Sequence, residues 1–247
     1  MKVSIITICY NSQETLEDTI KSVLAQDYND IEYIIIDGAS KDNTPKIIEK
    51  YKNCISHVTS EPDKGIYDAM NKGVEKANGD LVGILNSDDF YANNSVISNI
   101  VAALNKNNSA SIYADLVYVD RLNPKKTIRT WVSGEYKHNI FLKGWMPPHP
   151  TFFVKKWVYE KYGKYNTSLK SAADYEFMLR VLHKHGISTS YFPETITKMR
   201  TGGESNVSLN NRLRANREDR KAWKLNGLKP NLFTIIRKPL SKIKQFF

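Results

Sequence analysis

Four short apolar runs alternate with helical patterns in the first 85 residues of the chain. The runs cover residues 3–8, 31–36, 55–59 and 81–85, and each has the length of a strand buried on both faces. The segments between them carry apolar residues at helical spacing, as in Leu16, Ile20 and Val23. This alternation predicts an α/β fold with a mostly parallel central sheet and helices on both faces.

Each of the four runs ends in a cluster of polar residues. The clusters are Tyr10-Asn11-Ser12, Asp37-Gly38, Asp63-Lys64-Gly65 and Asn86-Ser87-Asp88-Asp89. The carboxyl ends of parallel strands lie at one edge of a sheet, which is where open α/β sheets bind ligands. We therefore expect the four clusters to converge on one site.

The fourth cluster has a specific chemical consequence. Two adjacent carboxylates, Asp88 and Asp89, repel each other at the end of a strand. A bound divalent cation relieves this repulsion, and oxygen ligands suit Mg²⁺ or Mn²⁺. Asn, Ser and Asp are also common in solvated turns, so this cluster alone leaves a plain turn equally open.

The later part of the chain predicts further elements. We expect helices at residues 95–104, 155–162, 172–185 and 210–225, and strands at 111–119, 127–132, 187–192 and 195–199. The last of these helices is rich in Lys and Arg. We therefore expect a main domain of residues 1–205, followed by a basic helical C-terminal extension of residues 206–247.

Cysteine usage and hydropathy indicate the compartment. The two cysteines, Cys9 and Cys54, lie in or beside apolar runs and are expected to be small core residues. A disulfide framework is therefore not expected, and a reducing cytoplasm fits. The chain contains no run of about 18 apolar residues, so a membrane-spanning helix is not expected. The N-terminal segment does not resemble a signal peptide.

The net charge of +10 is concentrated near the C-terminus. Residues 200–247 hold 12 Lys and Arg against 3 Asp and Glu, whereas residues 1–199 hold 24 against 23. Residues 231–247 alternate apolar and basic side chains, a composition that can lie on an anionic membrane surface. The alternative for this tail is a segment packed on the protein itself or on a second subunit.

The chain lacks the motifs of several other nucleotide-binding classes. No Gly-x-Gly-x-x-Gly follows the first strand, and no Gly-Lys-Ser/Thr phosphate loop occurs. A nucleotidyltransferase remains an alternative, but residues 10–14 lack the Gly-rich basic loop expected there. The other alternative is a nucleic-acid-binding protein. Only the basic tail supports it, so nucleic acid is not an expected partner.

Six motifs together resemble the family 2 glycosyltransferases. They lie at residues 3–12, 36–44, 63–73, 86–89, 149–153 and 173–180, so the resemblance covers about residues 1–200. It implies the GT-A fold, with a Rossmann-like sheet, and an inverting enzyme that uses a nucleotide-sugar. Within residues 1–205 it implies a nucleotide-sugar-binding half, 1–105, and an acceptor half, 106–205. The chain is similar to bacterial enzymes that build surface polysaccharides.

The resemblance assigns the donor site to the first three clusters. It implies that Thr7 and Tyr10 line the pocket for the base. Asp37 would accept a hydrogen bond from the base, as in uridine-type sites. Asp63 and Lys64 would lie near the base or the ribose.

The fourth cluster occupies the family's Asp-x-Asp position. Asn86 replaces the first Asp, where it could still bond a ribose hydroxyl, and Asp88 would bind the metal. Asp89, beside it, would act on the donor sugar. The implied cofactors are Mn²⁺ or Mg²⁺ and a nucleotide-sugar donor, with a UDP-sugar expected.

The catalytic base is expected at the start of a later helix. The family often has Glu-Asp there, and this chain has Ala173-Asp174. Asp174 would take the proton of the acceptor hydroxyl, with Glu176 as the rival base and a plain helix N-cap as the structural alternative for Asp174. His149 is expected either to be a turn histidine or to contact the donor phosphates or the acceptor. Residues 200–204 are expected to form a loop that could close over the diphosphate, with Arg200 as the candidate phosphate contact.

The resemblance also implies the biological setting. The acceptor would be a hydroxyl of a glycan or of a lipid-linked sugar in surface polysaccharide synthesis. The enzyme would be cytoplasmic and, through residues 231–247, peripheral at the inner face of the membrane. A homo-oligomer is compatible with these expectations.

Overall fold

The computed structural model describes residues 1–202 and 209–230. Its strands are β1 (Val3–Cys9), β2 (Ile31–Asp37), β3 (His57–Ser60), β4 (Leu81–Ile84), β5 (Asp89–Tyr91), β6 (Ser111–Val119), β7 (Thr127–Trp131), β8 (Phe153–Lys155) and β9 (Thr189–Arg200). Its helices are α1 (Leu16–Leu24), α2 (Thr44–Tyr51), α3 (Ile66–Lys76), α4 (Val96–Asn107), α5 (Lys156–Tyr162), α6 (Ala173–Met178) and α7 (Leu209–Leu225). A π-helical turn, Leu179–Lys184, continues α6.

All of the described strands belong to one sheet. Its order is β3-β2-β1-β4-β8-β6-β9-β5, and β7 pairs with β6 outside this path. The first four strands in this order are parallel. In the other half, β6 and β9 are parallel, whereas β8 is antiparallel to both of its neighbours. The predicted α/β fold is confirmed.

The first strands are apolar throughout because both of their faces are buried. In β1, Val3 and Ile5 pack into the core beneath α1, α2 and α4, whereas Ile6 and Ile8 pack into the core beneath α3, α5 and α6. Successive side chains of a strand point to opposite faces, so a strand covered on both sides cannot alternate with polar residues. Helices on both faces of the sheet are thus confirmed.

The predicted boundary between residues 205 and 206 does not separate two cores. Trp223 of α7 is fully buried in the same core as Phe177, and its indole Nε1 donates to the Tyr175 hydroxyl at 2.9 Å. Asn226 is also buried and donates to Glu176 Oε1 at 2.9 Å. The predicted basic helix therefore exists, but it packs as part of the main domain. The predicted tail, residues 231–247, lies outside the described residues.

The structure corrects some local predictions. Cys9 is buried as expected, but Cys54 is exposed because it ends a short 3-10 turn on the surface, Lys52–Cys54. The two strands expected at 187–192 and 195–199 form the single strand β9. Its register against β6 shifts at Pro193, which lacks the N–H that a regular ladder needs.

Among the helices of residues 1–202 and 209–230, none is long and apolar enough to cross a membrane.

Candidate active site

The four polar clusters meet at one edge of the sheet. In the parallel register, Cys9 lies opposite Asp37 and Asp37 lies opposite Ser60, so the loops after β1, β2 and β3 begin side by side. The β4 strand pairs with the other side of β1, which brings the loop after β4 to the same edge. A hydrogen bond between the hydroxyls of Ser12 and Ser87, 2.8 Å apart, joins the first loop to the fourth.

The loops after β2 and β3 form an open surface around Gly38. A Cβ atom at Gly38 would lie 2.5 Å from Asp63 Oδ2 and 3.3 Å from Tyr10 Cδ2, so only glycine allows this close approach. The Tyr10 side chain is 60% exposed, and Lys64 is exposed beside it. These residues offer an aromatic face and polar groups to a planar ligand.

Two predicted donor-site residues lie beneath this surface. Asp37 is fully buried, and its carboxylate accepts hydrogen bonds from the hydroxyls of Ser40 and Ser60, at 2.5 and 2.6 Å. Thr7 is also fully buried and accepts from the Tyr33 hydroxyl at 3.1 Å. The prediction that the Thr7 side chain lines a pocket is wrong, because its neighbours enclose it. The buried Asp37 does not face the cleft directly. Its carboxylate instead orients the hydroxyls of Ser40 and Ser60.

The loop after β4 is a tight turn that is held through its backbone. The amide of Asp89 donates to Asn86 O at 3.0 Å. The Thr19 hydroxyl of α1 lies 3.0 Å from Ser87 O and 2.7 Å from Asp89 O. Arg200, at the end of β9, donates to Asp88 O at 3.1 Å. These bonds fix the backbone of the turn. They do not involve the side chains of Asp88 and Asp89, which differ in exposure.

The two carboxylates of this turn have different environments. Asp89 is fully buried, and its pKa is raised well above the usual range by burial and by the neighbouring charge of Asp88. The role predicted for Asp89 on a donor sugar is wrong, because the side chain has no exposed surface. Asp88 is partly exposed, and burial raises its pKa as well, although Arg121, Arg200 and His149 act in the opposite direction.

A divalent cation fits the chemistry of this turn. The buried oxygens Asn86 Oδ1 and Asp89 Oδ1 have no hydrogen-bond partner within residues 1–202 and 209–230. The same part of the chain contains no group of three His, Cys, Asp or Glu residues that could hold a metal. Mg²⁺ and similar cations often take one or two carboxylates and complete their shell with substrate phosphates and water. Asp88 is the residue here that would hold such an ion.

Asp174 lies in the first turn of α6 and is partly exposed. The residue before the helix is Ala172, so the interpretation of Asp174 as the N-cap is wrong. Asp174 Oδ1 accepts a hydrogen bond from the buried Tyr67 hydroxyl at 3.0 Å. The pKa of Tyr67 is raised well above its usual value by burial and by Asp174, so the phenol stays protonated as a donor. The N-terminus of the helix also favours a negative charge at this position.

Glu176, the rival base, is turned away into a buried network. Its two oxygens accept from Arg180 at 3.1 and 3.0 Å, and Oε1 also accepts from Asn226. The side chain has almost no exposed surface. Glu176 therefore joins α6 to α7 and does not face an acceptor.

His149 and Arg200 surround Asp88 but differ in availability. His149 Nε2 lies 3.4 Å from Asn86 Nδ2. Burial lowers the pKa of His149, whereas the charges of Asp174 and Asp88 act to raise it. Arg200 is buried, with its guanidinium against Asp18 and above the Phe90 ring. Arg200 thus braces the turn through Asp18 and Asp88 O, which favours a structural role over a phosphate contact.

The sequence pattern described as "Glycosyl transferase family 2" matches residues 4–163. An uncharacterized glycosyltransferase of Mycobacterium tuberculosis is 36% identical over 179 residues, which are 72% of this chain and 68% of that protein. The chain is a family 2 glycosyltransferase.

More distant relatives cover more of this family 2 enzyme. A PGL/p-HBAD biosynthesis glycosyltransferase of Mycobacterium bovis is 25% identical over 208 residues, covering 83% of this chain and 79% of that protein. The crystal structure of S. aureus TarS 1-349 with UDP-GlcNAc matches with a TM-score of 0.75 at 19% identity, covering 96% of this chain and 69% of that one. The mannosyltransferase PcManGT from Pyrobaculum calidifontis, with GDP-Man and Mn2+, matches with a TM-score of 0.69 at 17% identity, covering 98% and 69%. The GT-A fold is confirmed.

Sequence reasoning missed some residues of the glycosyltransferase site. Tyr67, the partner of Asp174, lies within one of the six motifs, but nothing in the pattern pointed to a residue 107 positions away. Ser40 and Ser60 donate hydrogen bonds to the Asp37 carboxylate. Their positions beside the strand ends were the signal that could have identified them as site residues. Asp18, the partner of Arg200, gives no local signal, because the two residues are 182 positions apart in the sequence.

Proposed function

We propose that this glycosyltransferase is a metal-dependent inverting enzyme. It would transfer a sugar from a nucleoside-diphosphate sugar, with a UDP-sugar expected, to a hydroxyl of a glycan or lipid-linked acceptor in bacterial surface polysaccharide synthesis. The observation that carries the proposal is that the strand-end loops converge, with the hydroxyls of Ser12 and Ser87 2.8 Å apart, while Asp174 is bonded to Tyr67 in the helix that directly follows the third loop. A residue suited to the donor phosphates and a residue suited to the acceptor proton thus share one cleft.

The residues divide into a donor side and an acceptor side. Tyr10, Asp63 and Lys64 would contact the base and ribose, over the serines that Asp37 orients. Asn86 and Asp88 would face the ribose and the diphosphate. A bound Mn²⁺ or Mg²⁺ would offset the charge that grows on the leaving diphosphate.

On the acceptor side, Asp174 would remove the proton from the attacking hydroxyl. The hydrogen bond from Tyr67 fixes the direction of Oδ1 and leaves Oδ2 for the acceptor. Inversion requires this attack to come from the face opposite the leaving group.

The structural relatives support the donor class but leave the base open. TarS is described with UDP-GlcNAc, and PcManGT with GDP-Man and Mn2+. Both ligands are nucleoside-diphosphate sugars, and both proteins share the fold of this chain. A screen of UDP-, GDP- and dTDP-sugars by thermal stabilisation, with and without Mn²⁺, identifies the donor, because a ligand of the native state raises the melting temperature.

Asp88→Ala is expected to abolish the Mn²⁺-dependent part of this stabilisation. The variant should remain folded, because the turn is held by its backbone and the substitution removes a desolvated charge. The matched control is Asp27→Ala, which changes charge equally on the loop after α1. Full transfer by Asp88→Ala, or by the wild type in excess chelator, would contradict the proposed metal role.

The cytoplasmic, membrane-peripheral setting is part of the proposal and rests on residues 231–247. These residues combine eight large apolar side chains with four basic ones and no acid. Sedimentation with anionic vesicles, comparing the full chain with one that ends at Lys229, tests it. Equal pelleting of both proteins at low salt would show that the tail is not a membrane anchor.

Light scattering of the same samples measures whether the enzyme is a homo-oligomer.

A further inference from the structure

The loop between β6 and β7 carries a cation to the edge of the cleft. Arg121 lies in this loop, and its Nη2 is 3.3 Å from Glu14 Oε2 in the loop after β1. On its other side, a Cβ atom at Gly202, just after β9, would lie 3.9 Å from Arg121 Cδ. Three segments that are distant in sequence therefore meet at Arg121, and one of them, two residues before Gly202, holds the Arg200 that donates to Asp88 O.

The cations around Asp88 differ in their freedom to bind a ligand. Arg121, Arg200 and His149 all influence the Asp88 carboxylate electrostatically. Arg200 is 3% exposed and is used by Asp18 and by Asp88 O. Burial lowers the pKa of His149, which disfavours its charged form. The side chain of Arg121 is 42% exposed and that of Glu14 is 73% exposed. Breaking this ion pair therefore leaves neither charge buried without a partner.

We propose that Arg121 leaves Glu14 on donor binding and forms a charge-assisted contact with the diphosphate beside Asp88. This inference rests on the proposed function, since it assumes a nucleoside-diphosphate donor. It assigns Arg121 as a donor-binding residue and Glu14 as the group that holds it when the site contains no donor.

The exchange is favourable for physical reasons. Exposed ion pairs contribute little, shifting an equilibrium by roughly fivefold at most. An Arg–phosphate contact can be bidentate, and a charge-assisted hydrogen bond is about twice as strong as a neutral one. Glu14 is mostly exposed, so water replaces the guanidinium when Arg121 moves. The pair with Glu14 therefore lowers donor affinity slightly while it holds Arg121 near the site.

The test is a comparison of UDP and uridine binding, each with Mn²⁺, by isothermal titration calorimetry. Arg121→Ala should weaken UDP binding roughly tenfold, the usual size of one charge-assisted contact, and should leave uridine binding unchanged. Arg121→Lys should retain part of the affinity, because Lys keeps the charge but not the fork. Glu14→Gln should tighten UDP binding by roughly two- to fivefold, because it removes the competing partner. GDP and guanosine replace UDP and uridine if the donor screen selects guanine.

The matched control is Lys125→Ala, which removes one positive charge from the same loop. It should leave the affinity for UDP within about twofold, since exposed single charges are screened at physiological salt. The inference is overturned if Arg121→Ala and Lys125→Ala weaken UDP binding equally, or if Glu14→Gln weakens it. If the wild type binds no nucleoside diphosphate at all, the proposed function fails, which is a different outcome from unchanged binding in the Arg121 variants.

Discussion

At the scale of single residues, Asn86 has a physical reason to replace the family's first Asp. Its Nδ2 donates to Asp89 Oδ2 at 3.2 Å and lies 3.4 Å from His149 Nε2. A carboxylate at this position could donate to neither atom, and it would add a third negative charge beside the fully buried Asp89. Asn86 keeps one oxygen, Oδ1, available without that cost.

Asp174→Asn is expected to lower the rate of transfer by roughly 10²-fold or more, the usual contribution of general base catalysis. The amide keeps the size of the side chain and can still accept from Tyr67, so donor binding and stability should persist. Initial rates with saturating donor, together with thermal stabilisation by the donor, measure the two effects separately.

Glu176→Gln is the matched control for this experiment. Because Glu176 accepts from Arg180 and Asn226, the substitution should lower stability while the folded enzyme retains most of its transfer rate. Normal transfer by Asp174→Asn with inactive, folded Glu176→Gln would reverse the assignment of the base.

The sequence could predict which edge of the sheet forms the site, because strand ends and their polar residues are local features. It could not predict which of these carboxylates are exposed. Asp89 is buried because β5 pairs with β9, where Asp89 lies opposite Met199. Pairing between segments so distant in sequence gives no signal in the residues next to Asp89.

At the scale of elements, Glu32 of β2 ties together three segments of residues 1–105. The buried carboxylate accepts from Ser4 Oγ and from the backbone N of Asn78, both at 2.6 Å, and lies 3.4 Å from Lys2 Nζ. Asn78 belongs to the loop between α3 and β4. Burial alone would raise the pKa of Glu32, but the hydrogen bonds from Ser4 and Asn78 and the charge of Lys2 lower it to about 2.

The depressed pKa of Glu32 predicts a loss of stability in acid. Its contribution is fully present above the ordinary value of 4.5 and is lost as the pH falls through about 2. Glu32→Gln should lower the free energy of unfolding by about 3 kcal/mol near neutral pH, since it weakens buried bonds to a charged acceptor. Urea unfolding at about pH 7 and about pH 3 should show a smaller acid loss in the variant.

Glu49→Gln serves as the control, because Glu49 forms only exposed contacts with Lys52. Its unfolding free energy should follow that of the wild type at both pH values. Parallel acid curves for Glu32→Gln and the wild type would contradict the assignment, since other titrating groups contribute equally to both proteins.

The sequence predicted most elements because their apolar spacing is local. The strand at Ser111–Val119 agrees with the expected range at both ends. The expected helix at 172–185 instead changes to a π-helical turn after Met178, and β9 continues through Pro193. Both departures depend on packing against other elements, which periodicity alone does not contain.

At the scale of the whole molecule, α7 is expected to be essential for stability. Trp223→Ala should lower the free energy of unfolding by about 3–5 kcal/mol, as for other large buried aromatic residues. Trp223→Phe should cost less because it fills most of the space, although it loses the bond to Tyr175. Leu225→Ala is the matched control on the same helix, because Leu225 is 45% exposed.

Urea unfolding of the three variants measures these effects. A cost below about 1 kcal/mol for Trp223→Ala, in the range of surface substitutions, would mean that α7 is an extension outside the main core, as the predicted boundary at residue 205 implied. A single transition in each variant is also expected, since one sheet and shared cores connect the two predicted halves of the domain.

The pairing of β5 with β9 has a consequence for how the enzyme is made. Asp88 and Arg200, whose contact braces the turn, are 112 residues apart in the sequence. A ribosome that adds 5–20 residues per second needs roughly 6–22 seconds to travel that distance. During this interval the nascent chain already holds the four strand-end clusters but lacks the strand that fixes the turn of the fourth cluster. The growing polypeptide therefore cannot assemble its nucleotide site during translation until nearly the whole catalytic domain has emerged.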